Sequence, residues 1–92
     1  MKPWYFYVLS CRDNSLYCGV TTDVERRLRQ HKLKKGAKYT RSRIPVKLLY
    51  CRKIENRSKA QKMESAFKKL SRPKKLEKLV EFVDEDVFGD TN

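Results

Sequence analysis

Hydrophobic and polar positions change period several times along the chain, and each change marks an element. Residues 4–9 (WYFYVL) are aromatic and branched without a break, which predicts a β-strand. On such a strand Tyr5 and Tyr7 share one face, and Trp4, Phe6 and Val8 the other. Asp13-Asn14-Ser15 supplies turn chemistry, so LYCGV at 16–20 reads as the returning arm of a hairpin, with Tyr7 and Tyr17 facing each other. Thr22-Asp23-Val24-Glu25 has the Thr-x-x-Glu spacing of a capping box. It predicts a helix that fades around Lys34, ahead of Gly36.

Residues 34–45 keep no period and are expected to form a basic loop closed by Ile44-Pro45. VKLLYCRKI at 46–54 predicts a third strand, buried on both faces near its middle. Ser58-Lys59-Ala60-Gln61 is a second capping box, opening a helix to about Leu70 with Ala60, Met63, Phe67 and Leu70 as its apolar stripe. Pro73 suits the first turn of a third helix, in which Leu76, Leu79, Val80 and Val83 recur at helical spacing. The acidic end, DEDVFGDTN, is expected to fray. The pattern predicts one α+β domain over residues 1–83, followed by an acidic, disordered tail at 84–92. Its order is β-β-α-β-α-α, a three-stranded antiparallel sheet with flanking helices.

Two helices carry polar groups where a plain amphipathic pattern has none. Val24, Arg27, Leu28 and His31 occupy the positions of an apolar stripe, and two of them are cationic or titratable. A guanidinium turned toward the sheet needs a carboxylate, carbonyls or a ligand phosphate; otherwise its stem packs while its head reaches solvent. His31 alone reads as a satisfied histidine at the core edge. Glu64 borders the stripe of the second helix, where an i,i+4 pair with Lys68 is the plain alternative to a functional carboxylate. Tyr7 and Tyr17 put hydroxyls at the sheet surface, and Gly19 permits close backbone approach.

Charge sharpens the picture. The formal net charge is +12, and every charged residue from Arg26 to Lys53 is basic. A solvated face interleaves both signs, so this run points to a polyanion: DNA or RNA. A membrane surface would call for a basic amphipathic helix, which a loop and a strand do not provide. No segment has the roughly 18 apolar residues of a membrane span, and the N-terminus lacks the pattern of a secretory signal. The odd cysteines (Cys11, Cys18 and Cys51), without paired spacing, exclude a disulfide framework and point to the cytoplasm. With one histidine, a multi-histidine metal centre is excluded. Any metal would be held by carboxylate oxygen, which favours Mg2+ or Mn2+.

Together these residues resemble the GIY-YIG nuclease domain, over residues 4–70. Tyr5-Phe6-Tyr7 stands at the first tripeptide and Tyr17-Cys18-Gly19 at the second. Arg27 matches the family's arginine, His31 follows one turn later, and Glu64 matches its metal-binding glutamate. The small size resembles the stand-alone bacterial members. The resemblance implies a metal-dependent endonuclease that hydrolyses phosphodiester bonds, DNA before RNA, in repair or processing. It implies one Mg2+ or Mn2+ ion on Glu64 and charge neutralisation on the phosphate by Arg27. Tyr7 would be the general base with Tyr17 beside it, or the reverse, and His31 would place water or phosphate. Substrate would lie along Gly19, Lys34, Lys35, Lys38, Arg41 and Arg43. This chain has Tyr5 at the first signature glycine and Val20 where some members have lysine. After Asn56 its one asparagine is Asn92. A nucleic-acid-binding module of the same fold is the alternative expectation.

Overall fold

The computed structural model describes residues 2–33 and 36–89. Three strands, β1 (Trp4–Ser10), β2 (Leu16–Thr21) and β3 (Lys47–Ile54), form an antiparallel sheet in the order β2-β1-β3. Among the described residues there are four helices: α1 (Val24–Lys32), α2 (Lys38–Arg41), α3 (Arg57–Lys68) and α4 (Arg72–Gly89). The class and order are those the sequence predicts, with α2 added inside the expected basic loop.

The central strand β1 is apolar on both faces because both faces are covered. Phe6 and Val8 pack with Leu16, Cys18, Tyr50, Phe67, Leu79 and Phe82. Phe6 is fully buried, and its ring meets Phe67 and Phe82 edge-on at 5.5 and 6.1 Å between centroids. On the opposite face Tyr7 and Leu9 pack with Cys11, Val46, Tyr17, Leu28 and Ile44. One layer therefore holds α3 and α4 against the sheet. The other holds α1 and the segment leading into β3, and there the polar residues gather.

Several local expectations are corrected. Asp23, not Thr22, caps α1, its carboxylate accepting from the Arg26 amide at 3.0 Å; Thr21 Oγ1 accepts from the Asp23 amide. Asn56 rather than Ser58 caps α3, accepting from the Lys59 amide at 2.9 Å, so the helix begins earlier. Asp outranks Thr at this position and Asn equals Ser, and each was available one or two residues from the expected cap. The hairpin turn places Asn14 at φ 65°, which a short polar side chain tolerates. Its register opposes Tyr7 to Gly19 and Tyr17 to Leu9, so the two tyrosines are diagonal neighbours rather than directly opposed.

β3 is an edge strand and not buried on both faces: Tyr50 is buried while Leu48 and Leu49 are exposed. Val8 pairs with Tyr50 and Leu9 with Leu48, leaving Leu49 as the extra residue of a bulge. The buried side of α4 is Leu79 and Phe82, while Leu76, Val80 and Val83 of the expected stripe are exposed. The expected tail from residue 84 is instead helical as far as Gly89. Asp86 accepts from the Tyr50 hydroxyl at 2.9 Å, and Arg52 reaches Glu85 at 3.1 Å and Asp86 at 3.4 Å.

Candidate active site

Tyr7 is the centre of the polar group. Its strand position turns the ring away from Phe6 and Val8, and Gly19 on β2 lies directly beneath it. A Cβ at Gly19 would stand 2.5 Å from the Tyr7 hydroxyl oxygen and 2.7 Å from Cζ. The missing side chain is the space that the ring occupies. The Tyr7 hydroxyl then reaches Nε2 of His31 at 3.0 Å.

His31 is fully buried, and both ring nitrogens are engaged. Nδ1 lies 2.7 Å from Oγ1 of Thr40, whose hydroxyl is 3.0 Å from the Ala37 carbonyl. Thr40 is itself fully buried, on α2. Burial first, then the charge of Arg27, lowers His31 from 6.5 to about 4, so the imidazole is neutral at physiological pH. Burial likewise raises the Tyr7 hydroxyl to about 12. The neighbouring Arg27 opposes that rise, while Tyr17 and Glu64 add to it. The charges of Arg27 and Glu64 thus act on this hydroxyl in opposite directions.

Arg27 is half-buried on α1, and its Nη1 donates to Oε1 of Gln30 at 2.9 Å. Among the described side chains its head pairs with this amide and with no carboxylate. Glu64 is half-buried on α3, and its nearest cation is Lys68 at 3.7 Å, the i,i+4 pair the sequence allows. α3 packs against β2 and β1, and the Cys18 thiol points to the Glu64 carbonyl at 3.8 Å.

Tyr17 extends the site outward. Its ring is 6.4 Å from that of Tyr7, 5.3 Å from His31, and stacked on Tyr39 at 6.0 Å. Arg43 also lies over the Tyr39 ring, 3.9 Å from its centroid. It is fixed there by the Asp13 carboxylate at 3.0 Å and the Tyr39 carbonyl at 2.8 Å. An open recess of about 680 Å³ follows, lined by Lys38, Tyr39, Arg41, Ser42 and Arg43.

The structure thus brings Tyr7, Tyr17, Arg27, His31 and Gly19 together with Glu64 at the margin. Lys38 and Arg41 stand exposed on the adjoining wall, while Arg43 spends its charge on Asp13. Lys34 and Lys35 lie outside the described residues. Two members of the group were missed in the sequence. Thr40 resembles any polar residue of a basic loop, but Tyr39 left a signal, an aromatic ring set among lysines and arginines.

A hairpin that presents two tyrosines, a helix that adds an arginine and a histidine, and a later helix that adds a glutamate define a GIY-YIG catalytic domain. The chain belongs to that family, whose model, the GIY-YIG catalytic domain, matches residues 3–77. Among its relatives is the UPF0213 protein SAG0778 of Streptococcus agalactiae, 53% identical over 74 residues, covering 80% of this chain and 84% of the relative. A UPF0213 protein of Bacillus licheniformis is 56% identical over 71 residues, 77% of this chain and 73% of that protein. The solution structure of EF2693 from E. faecalis superimposes with a TM-score of 0.64 at 50% identity, covering 89% of this chain and 88% of that one. BH0048 from Bacillus halodurans does so at 0.55 and 45%, over 87% and 84%.

Proposed function

We propose that this protein is a metal-dependent endonuclease acting on DNA at the Tyr7 site. The observation that carries this reading is the convergence of Tyr7, Tyr17, Arg27 and His31 on one face of the sheet, with the Glu64 carboxylate beside them. Nothing structural requires a guanidinium and a neutral histidine around a buried phenol, whereas phosphodiester hydrolysis uses each of them.

The donor set fits a hard divalent cation. Among the described residues no three His, Cys, Asp or Glu side chains cluster, so a cage made wholly of protein ligands is not available. Mg2+ needs none, because it is commonly held by one or two carboxylates with water and substrate phosphate oxygens. Glu64 is the residue that would hold it. When bound, the ion supplies Lewis-acid polarisation of the phosphate and stabilises the leaving oxygen.

The chain's own residues do the rest. Arg27 neutralises the non-bridging phosphate oxygens. Tyr7 takes the proton of the attacking water at its hydroxyl oxygen while passing its own to Nε2 of His31. This transfer avoids a free phenolate in a site where burial holds the phenol near 12. Tyr17 shields the pair from solvent and joins it to Tyr39, and Lys38 and Arg41 bind the flanking backbone. The three unpaired cysteines suit a reducing cytoplasm.

The test is incubation with labelled duplex, single-stranded and branched DNA, with Mg2+ or EDTA, alongside Glu64→Ala. Cleavage that needs the metal and is lost in the variant, while salt-sensitive binding survives, supports the reading. Binding without cleavage by the wild type under every condition would leave a nucleic-acid-binding module of the same fold.

A further inference from the structure

We infer that Thr40 is a positioning residue of this site: its buried hydroxyl holds His31 as the Nδ1–H tautomer, leaving Nε2 to accept the proton of Tyr7. The consequence for catalysis rests on the nuclease reading above, whereas the tautomer itself does not.

Two proton arrangements are compatible with the 2.7 Å contact between His31 Nδ1 and Thr40 Oγ1. In the first, Nδ1–H donates to Thr40, Thr40 donates to the Ala37 carbonyl at 3.0 Å, and Tyr7 donates to Nε2 at 3.0 Å. Every proton in the chain then has an acceptor. In the second, Thr40 donates to Nδ1 and Nε2–H donates to the Tyr7 oxygen. The Tyr7 proton, on a residue only 3% exposed, is then left without an acceptor among the described side chains. A buried donor without a partner costs about 1–3 kcal/mol, which selects the first arrangement. The hydrogen bond made by one ring nitrogen decides the proton on the other.

The segment from Gly36 to Thr40 is shaped to the ring as well as bonded to it. A Cβ on Gly36 would lie 2.3 Å from Nδ1 and 2.8 Å from Cγ of His31. Gly36 therefore admits the imidazole by having no side chain, and Thr40 meets its edge with an oxygen. The short helix α2, four residues in all, is capped at Ala37, whose carbonyl is the far end of the relay. A loop that looked like a basic strap for substrate thus also sets which way the catalytic proton can move.

His31 is the single histidine, so its nitrogens can be read directly by long-range proton–nitrogen correlation of the free protein at neutral pH. The expected spectrum is Nδ1–H in the wild type. Thr40→Val, close in shape but without the oxygen, leaves one buried donor unpaired in either arrangement, so the proton should move partly to Nε2, and Thr40→Ser should restore it. Under the assay above, Thr40→Val should lower kcat about a hundredfold with little change in KM, since a wrong tautomer removes proton transfer and not binding. Thr40→Ser should recover most of it. An Nε2–H wild type, or a Thr40→Val protein with an unchanged tautomer, would overturn the inference. If the valine variant does not fold, Thr40→Ala, smaller and likewise without the oxygen, takes its place with the same expected shift. The spectra need no substrate, so absence of cleavage would count against the nuclease and not against this assignment.

Discussion

The hydroxyl of Tyr7 and Nε2 of His31 are 3.0 Å apart, although 24 residues separate them in sequence. The bond ties the middle of the central strand to the last turn of α1. Tyr7→Phe removes the bond and keeps the packing of the ring. Its kcat should fall by about two orders of magnitude or more, the scale of a lost general base. Stability should fall by about 1–2 kcal/mol, because Nε2 of His31 is left buried and unpaired. DNA affinity at fixed salt should be unchanged. Equal loss of affinity and kcat would show that Tyr7 holds substrate rather than moving a proton.

Gly19→Ala probes the same ring from below. Its Cβ would stand 2.5 Å from the Tyr7 oxygen, well inside van der Waals contact, so the phenol has to tilt off His31. Overpacking of this kind costs about 1–3 kcal/mol in a folded core. Activity should suffer more than stability, because a shift of about 1 Å in a catalytic group is worth roughly a hundredfold. The check is kcat set against the midpoint of urea unfolding. Full activity in Gly19→Ala would mean that the contact between Tyr7 and His31 is dispensable.

Those two residues also show what could be read in advance. Arg27 and His31 announced themselves because polar groups at apolar positions of a helix are out of period. Gly19 did so as a glycine inside a strand. The hairpin register did not, since one residue more or less in the turn moves Tyr17 past Tyr7. Thr40 was silent because nothing local distinguishes a threonine facing a buried imidazole from one facing water. The acidic end was misread for the same reason. The partners that order it, Tyr50 and Arg52, lie 36 and 33 residues upstream, where no local pattern reaches.

That acidic end makes its own prediction. Asp86 receives the hydroxyl proton of Tyr50, a buried residue of the edge strand, and burial together with this carboxylate pushes the Tyr50 phenol well above its usual range. The pairs with Arg52 are partly exposed and add little. Asp86→Ala should cost about 1.5–3 kcal/mol, the worth of a hydrogen bond to a charged acceptor. Amide exchange should speed up in β3 and in α4 beyond Leu79, leaving β2 and α1 unchanged. A variant as stable as the wild type would return residues 84–89 to the status of a tail.

The last prediction concerns acid. His31 is held at about 4 in the folded chain, against 6.5 when free, so between those values the unfolded chain binds more protons than the folded one. Stability then rises with pH across that window: it is full above about 6.5 and declines as the solution is acidified toward 4. Each unit of difference is worth about 1.4 kcal/mol, so the loss is on the order of a few kcal/mol at most. Asp13, held low by Ser15 and Arg43, and Glu55, held low by Lys59, also lose stability on acidification, so the His31 contribution is read as the difference from a variant that keeps both carboxylates. The measurement is urea unfolding at several pH values from 4 to 7.5, for the wild type and for His31→Gln. The wild type should lose more stability through the window than the variant, which is less stable at neutral pH. Parallel curves would mean that His31 is reached by solvent protons in the folded state. The buried relay from Tyr7 to Thr40 would then have no dry pocket in which to work.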